Sequence, residues 1–272
     1  MPADSPPHAA GRISDFLRSP LFDIVQFIGL LFFLGWLSSH SIENLGYHWS
    51  WYQIPPLILK WAADGIQPGP LLLGLGVTIK ISALSLVFAF IIGLVTALFR
   101  LSNSPVARFV ARIYLELSRN TPLLIQLFFI YFVIGPVLGL ERFPSAVLAL
   151  SLFEGAYASE IFRSGVLSVD QGQIEAAASL GMKKSYIYRL IILPQAIRTI
   201  LPPLTSQAIS LIKDSALVST IAIYDLTMQA QALISETFLT FEIWFTVAIL
   251  YLMITVTLSF FVTFLEKRLK IS

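Results

Sequence analysis

The chain has 272 residues, 56% of them hydrophobic and 12% charged, with a formal net charge of +2 and a mean hydropathy of +0.79. Soluble domains carry about 45–50% apolar and about 25% charged residues, so this balance points to a chain that crosses a membrane several times. The small net charge, with no basic stretch interleaved with aromatics, excludes a nucleic-acid platform, and the absence of cysteine excludes disulfides, thiolate metal sites and cysteine nucleophiles.

About 18–20 apolar residues cross the hydrocarbon core as a helix. Six segments qualify, at roughly 21–39, 71–99, 109–134, 144–167, 203–224 and 243–265. The expected fold is all-α and polytopic. Residues 1–20 read as a polar tail. The span at 21–39 is interrupted by Asp23 and Gln26 and lacks an A-x-A cleavage pattern, so it is expected to be retained as a span. Tyr47, Trp49, Trp51, Tyr52 and Trp61 then form an aromatic segment suited to a membrane interface, and Pro55-Pro56 argues against a continuous helix there.

Basic residues fix the direction. Arg12 and Arg18, then Arg100, Arg108 and Arg112, then Lys183, Lys184, Arg189 and Arg198, and finally Lys267, Arg268 and Lys270 fall at one set of ends. The alternate connections carry only Lys60 and Arg142. The positive-inside rule places both termini in the cytoplasm.

Charges inside spans are costly and face protein or a watery cavity. Lys80, Glu116, Arg119, Glu154, Lys213 and Asp214 all fall well inside predicted spans, three cations against three anions. Mutual pairing is expected for most of them. Glu116 with Arg119 and Glu160 with Arg163 have the i, i+3 spacing of local pairs. Gly155 and Ser159 make a small-xxx-small pair suited to close internal packing. No His or Cys lies in spans two to six, His8, His40 and His48 all precede them, and no GxSxG or HExxH pattern occurs. A membrane-embedded enzyme, which needs a nucleophile with a base or a metal site, therefore finds no support.

Between the fourth and fifth spans runs EAAASLGMKKSYIYRLIILP, from Glu175 to Pro194. Alanines favour a first short helix, and Gly181 can end it in the left-handed conformation. Ser185 can cap a second short helix, and Pro194 follows it. The small alanines would let another backbone approach. Either a docking element or an amphipathic loop on the lipid surface fits this pattern.

The spacing of Glu175, Ala176, Ala177, Gly181, Ile191, Leu193 and Pro194 resembles the coupling loop of ABC importer permeases. The likeness runs from about residue 70 to 268 and is greatest to the polar amino acid permeases of the histidine/glutamine group. It is carried by Gly76-Val77-Thr78, Glu116 to Leu124 (ELSRNTPLL), Gly155 to Arg163 (GAYASEIFR), Gln171-Gly172-Gln173, Leu193-Pro194-Gln195-Ala196 and Ile212 to Leu217 (IKDSAL). The family pattern departs at Asn120, where Gly is commoner, at Ser215-Ala216, and at Glu154, where an uncharged residue is commoner.

The resemblance implies a five-helix core at 70–268 with a coupling loop at 171–198, preceded by an extra helix and external aromatic loop at 21–69. It implies that Glu175, Ala176, Ala177, Ala178, Gly181, Lys183, Ile191, Leu193 and Pro194 engage a cytoplasmic ATPase. No GxxxxGK[ST] occurs, so ATP and Mg would be used by that partner, with no cofactor or metal bound by this chain. An external binding protein and a second permease, identical or related, complete the expected assembly in a bacterial cytoplasmic membrane. Gln207, Ser210 and Asp214 share a helical face with Lys213 at its edge. A Lys and an Asp offer one partner each to the carboxylate and ammonium of an amino acid. Asn120 and Thr121, beside the helix-breaking Pro122, form a second expected stretch of the substrate pathway. The competing expectation is a secondary amino acid transporter driven by an ion gradient.

Overall fold

The computed structural model describes residues 20–45, 47–62 and 65–270. They belong to two units, one ending at Trp49 and one beginning at Ser50. In the first, helix α1 (Pro20–Leu45) presents an exposed apolar run that includes Ile24, Phe27, Leu31 and Phe32. Tyr47 and Trp49 follow it in an edge-to-face contact, ring centroids 5.3 Å apart.

The second unit opens with a 3₁₀ turn at Trp51–Gln53 and a one-turn helix α2 (Pro55–Ile58). Pro55 and Pro56 take its first positions, where a missing N–H costs nothing. Strands β1 (Leu59–Ala62) and β2 (Gly65–Pro68) then form an antiparallel hairpin pairing Leu59 with Pro68 and Trp61 with Ile66. Asp64-Gly65 is a turn signal in the sequence. The stretch from Ser50, which the sequence pattern groups with the first helix, packs with the core. Ile54 is buried in one cluster with Leu71, Leu226, Ala230 and Ile243.

Helix α3 (Pro70–Leu101) and helix α6 (Arg142–Leu167) form the central pair. At 32 residues α3 is about 48 Å long, enough to cross a bilayer. The pair packs closely because its contact is made of small residues. A Cβ on Gly93 would lie 2.7 Å from the Ala158 Cβ and 3.0 Å from the Gly155 carbonyl oxygen. Gly155 and Ser159 are thus used for internal packing, as their spacing suggests.

Helix α4 (Pro105–Arg119) and the helical run α5 (Leu123–Leu138), which contains a π turn at Phe129–Ile134, follow α3. The expected span at 109–134 is present as a bent pair and not as one continuous helix: the chain turns by 108° between α4 and α5. The cause lies in Pro122, which cannot donate to the α4 ladder and disfavours helical backbone at Thr121. Glu116 and Arg119 are consequently exposed on α4 rather than at mid-span.

Helix α7 (Gln171–Ser179) leads to a helical run α8 (Lys184–Ile221), whose π turn is at Tyr188–Ile192 and whose last residues, Ser215–Ile221, are 3₁₀. Two further corrections fall here. The expected second short helix is the first part of α8, and Pro194 does not close it. The π turn, with Leu193 N–H donating to Tyr188 O, shifts the bonding register just before the proline. Ser185 is not the cap: Lys183 holds that position in extended conformation with no side-chain cap bond. The helix that carries the fifth span therefore begins well before residue 203, and α8 holds Pro202 and Pro203 in its interior. After a 49° bend at Ala222–Asp225, helix α9 (Leu226–Thr237) is capped by the Asp225 carboxylate, which accepts from Met228 N–H at 2.8 Å. Helix α10 (Thr240–Lys270) ends the described chain.

Among the described residues, α3, α6 and α10 are long and apolar enough to span a membrane, and each of the bent pairs α4–α5 and α8–α9 qualifies as one further span. The central core joins α3, α5, α6 and α8 through Ile81, Leu127, Ile130, Leu150, Leu211 and Val218. Large apolar side chains on α10, among them Leu252, Met253, Phe260 and Phe261, are exposed. On a soluble protein so wide an apolar surface would aggregate; in a bilayer acyl chains would cover it.

Candidate functional site: the docking loop and the intramembrane polar cluster

The loop after α6 is built around a Gly that only glycine suits. Asp170 caps α7, its Oδ1 accepting from Gly172 N–H at 2.7 Å and Gln173 N–H at 3.3 Å. At the other end Gly181 has φ +78°. Gly181 N–H donates to Ala178 O and Met182 N–H to Ala177 O, the paired bonds of a Schellman cap. The loop has its own small core, in which Val169, Ala177, Ile187, Ile192 and Ala196 are buried and Ile191 packs against them. Gln195 Nε2 donates to Gln173 Oε1 at 2.7 Å and clips α7 to α8.

The expected docking residues therefore divide into two groups. Ala177 and Ile191 hold the loop together from within. Glu175, Ala176, Ala178, Gly181, Lys183, Leu193 and Pro194 are exposed. Leu180 is 82% exposed, and Tyr186 and Leu190 also stand out from the surface. These three apolar groups were not singled out in the sequence pattern, where each reads as one more apolar residue. A partner protein that covered them would gain hydrophobic contact area.

The intramembrane polar residues meet in a different arrangement from the one their charges suggest. Glu154, on α6, is fully buried and pairs with no cation among the described residues. Its Oε2 accepts from Gln207 Nε2 on α8 at 2.5 Å, while Oε1 has no partner. Ser210 and Asp214 lie half-buried one and two turns further along α8, and Lys213 is exposed. Lys80 sits 5.4 Å from the Phe143 ring centroid, a cation–π contact. Glu154 is thus the member that the sequence pattern assigned to charge pairing; its partner is 53 positions away, and no local spacing signals it.

The expected pair of Glu116 with Arg119 is not formed. Glu116 Oε2 accepts instead from Asn120 Nδ2 at 2.7 Å. Thr121 Oγ1 donates to Leu117 O at 2.7 Å. The carbonyl that Pro122 leaves free one turn back, that of Ser118, accepts from Gln126 Nε2 at 2.7 Å. Much of the polar capacity at the break is therefore used locally, and Gln126 is the residue that closes it. Glu160 does pair with Arg163, at 3.0 Å, and also with Arg100 from α3.

The described residues form a bundle of long apolar helices with a structured loop between α6 and α8, and the comparisons with known proteins give the class. The chain belongs to the family described as binding-protein-dependent transport system inner membrane component, which matches residues 89–271. It is 40% identical over 216 residues to the glutamine transport system permease protein of Escherichia coli (strain K12), covering 78% of this chain and 98% of that one. It is 37% identical over 204 residues to the L-cystine transport system permease protein of Bacillus subtilis (strain 168), covering 72% and 85%. The crystal structure of an amino acid ABC transporter with histidines matches with a TM-score of 0.69 at 39% identity, covering 73% of this chain and 94% of that one. The chain is accordingly a membrane permease component of the ABC importer type and not an enzyme; ATP hydrolysis belongs to a separate subunit.

Proposed function

We propose that the chain is the membrane subunit of an ATP-driven importer of polar amino acids. Substrate would be delivered by an external binding protein, and a cytoplasmic ATPase, using ATP and Mg, would dock on α7. The relatives named for glutamine and cystine transport support the substrate class. The observation that carries the docking role is the loop itself. Its internal core and the Gln173–Gln195 clip make it a solid element, and Ala176, Ala178, Leu180 and Tyr186 present a small-residue and apolar surface. In this reading a second permease, a copy or a relative, sits alongside, the assembly lies in the bacterial cytoplasmic membrane, and both termini are cytoplasmic.

Movement of the ATPase would pull α7, and the clip would pass that displacement into α8, which carries Gln207, Ser210, Lys213 and Asp214. No covalent bond is made or broken by this chain. Lys213 and Asp214 offer opposite charges to the two ends of a zwitterion, and the Glu154–Gln207 pair fixes the height of α8 against α6. Asn120 and Thr121 would contribute through their exposed faces at the α4–α5 break.

The absence of cysteine makes the test direct. A single Ala178→Cys, with one Cys in the groove of a candidate ATPase, is expected to give a disulfide crosslink whose yield changes with ATP. Equal yields with and without ATP, or none with the folded ATPase present, would remove the docking role. Uptake that ignores ATP and collapses with an uncoupler would then favour an ion-driven carrier.

A further inference from the structure

Five arginines from three elements surround one concavity outside the polar cluster and the docking loop. Arg108, Arg112 and Arg119 come from α4, Arg100 from the end of α3 and Arg163 from α6; with Glu116 they line a cavity of about 260 Å³. Glu160 binds both Arg100 and Arg163, and Glu116 is engaged by Asn120. Two carboxylates thus face five guanidinium groups, and three positive charges are unmatched within the site. Arg163 Nε is buried and has no hydrogen-bond partner. Arg108 and Arg112 stand one turn apart on one helix face, where like charges repel. Such a cluster is short of an anion.

The other face of α4 indicates where that anion comes from. Val106, Phe109, Val110, Ile113 and Leu117 are large, apolar and exposed. Leu98 and Phe99 on α3, next to Arg100, are exposed as well. Helix α4 therefore has an arginine face and an uncovered apolar face, and it turns 108° away from the helix that follows. An amphipathic, arginine-bearing helix of this kind lies at the membrane boundary with its apolar side among acyl chains. Basic pockets between helices at that depth bind anionic headgroups, and guanidinium forks match phosphate oxygens bidentately.

We propose that this pocket binds the phosphate of an anionic phospholipid headgroup, Arg108, Arg112 and Arg119 donating to it while the acyl chains run along the apolar face of α4. The site is separate from the docking surface and from the Glu154–Gln207 cluster, and it does not depend on which solute is transported.

The test compares the full chain, purified in detergent, with the double variant R108Q/R112Q. Phospholipid adducts are measured by native mass spectrometry and the unfolding midpoint by thermal scan. Phosphatidylglycerol, phosphatidylcholine and inorganic phosphate are each added alone. Wild type is expected to retain phosphatidylglycerol in preference to phosphatidylcholine and to be stabilised by it. The double variant is expected to bind phosphatidylglycerol roughly thirtyfold more weakly, from two basic residues near a charged headgroup. A K183Q/K184Q control on the docking loop should keep the preference. R119Q is a second variant that leaves the start of α4 untouched and should show the same direction of loss if R108Q/R112Q proves unstable. Equal retention of the two lipids by wild type, unchanged phosphatidylglycerol binding in R108Q/R112Q and R119Q, or full stabilisation by inorganic phosphate would each overturn the proposal, the last in favour of a soluble-anion site.

Discussion

At the scale of single residues, the least expected contact is the one between Glu154 and Gln207. A carboxylate in the middle of a spanning helix is normally matched by a cation, yet Lys80 is drawn to Phe143 and Lys213 is exposed. Glu154 relies on a side-chain amide 2.5 Å away. Removing one member of a buried polar pair leaves the other unsatisfied, whereas removing both need not. E154L and Q207L are each expected to cost about 1–3 kcal/mol, and the double variant should lose clearly less than their sum. Thermal unfolding of the four proteins in detergent gives the coupling; strict additivity would mean that the hydrogen bond contributes nothing to holding α6 against α8. No reading of local spacing could supply this pair. By contrast, Gly181 was legible, because a glycine after an alanine-rich helix and before a basic pair has one common use. Its φ of +78° bears that use out.

At the scale of elements, apolar run length located every span of the core, and the short helix ending at Gly181 was legible in its alanines and glycine. The errors have a shared cause. A run of hydrophobic residues does not say whether its helix is straight, so 109–134 read as one span although Arg108, Arg112, Glu116 and Arg119 recur on one face of α4. That periodicity was present in the sequence and marks an amphipathic helix, not half of a buried one. Pro194 has the opposite lesson, since a proline read as the end of a short helix is absorbed within α8, which also carries Pro202 and Pro203. Helix α9 was missed because LTMQAQALISET is too polar to read as a span, and it is held by the Asp225 cap and by Thr78, whose Oγ1 accepts from Leu226 N–H at 3.1 Å. The α4–α5 turn depends on Gln126 taking the Ser118 carbonyl. Q126L keeps the volume and removes the donor, so it should cost about 1–3 kcal/mol. Detergent thermal scans of Q126L against Q126E, which can keep one oxygen near the site but not the donor, separate loss of the bond from loss of shape. A Q126L midpoint equal to wild type would mean that Pro122 alone sets the bend.

At the scale of the whole molecule, the arrangement across the membrane follows from where charge and aromatic rings fall. The docking loop and the arginine pocket lie at the ends of α3, α6 and the start of α4. The β1–β2 hairpin, with Trp61 83% exposed and paired across to Ile66, lies at the opposite end of α3. A strand pair carrying an exposed tryptophan suits the interfacial belt, where the ring is half in the headgroups. If the basic ends face the cytoplasm, Lys183 and Lys60 must lie on opposite sides. The cysteine-free background again permits a clean reading. In sealed right-side-out vesicles an impermeant maleimide is expected to label Lys60→Cys at once and to label Lys183→Cys only after permeabilisation. Immediate labelling at both positions would show that the hairpin and the loop share a face, and the ATPase would then have to dock elsewhere. The reverse pattern would invert the chain and place the docking surface where no ATP is available to drive it.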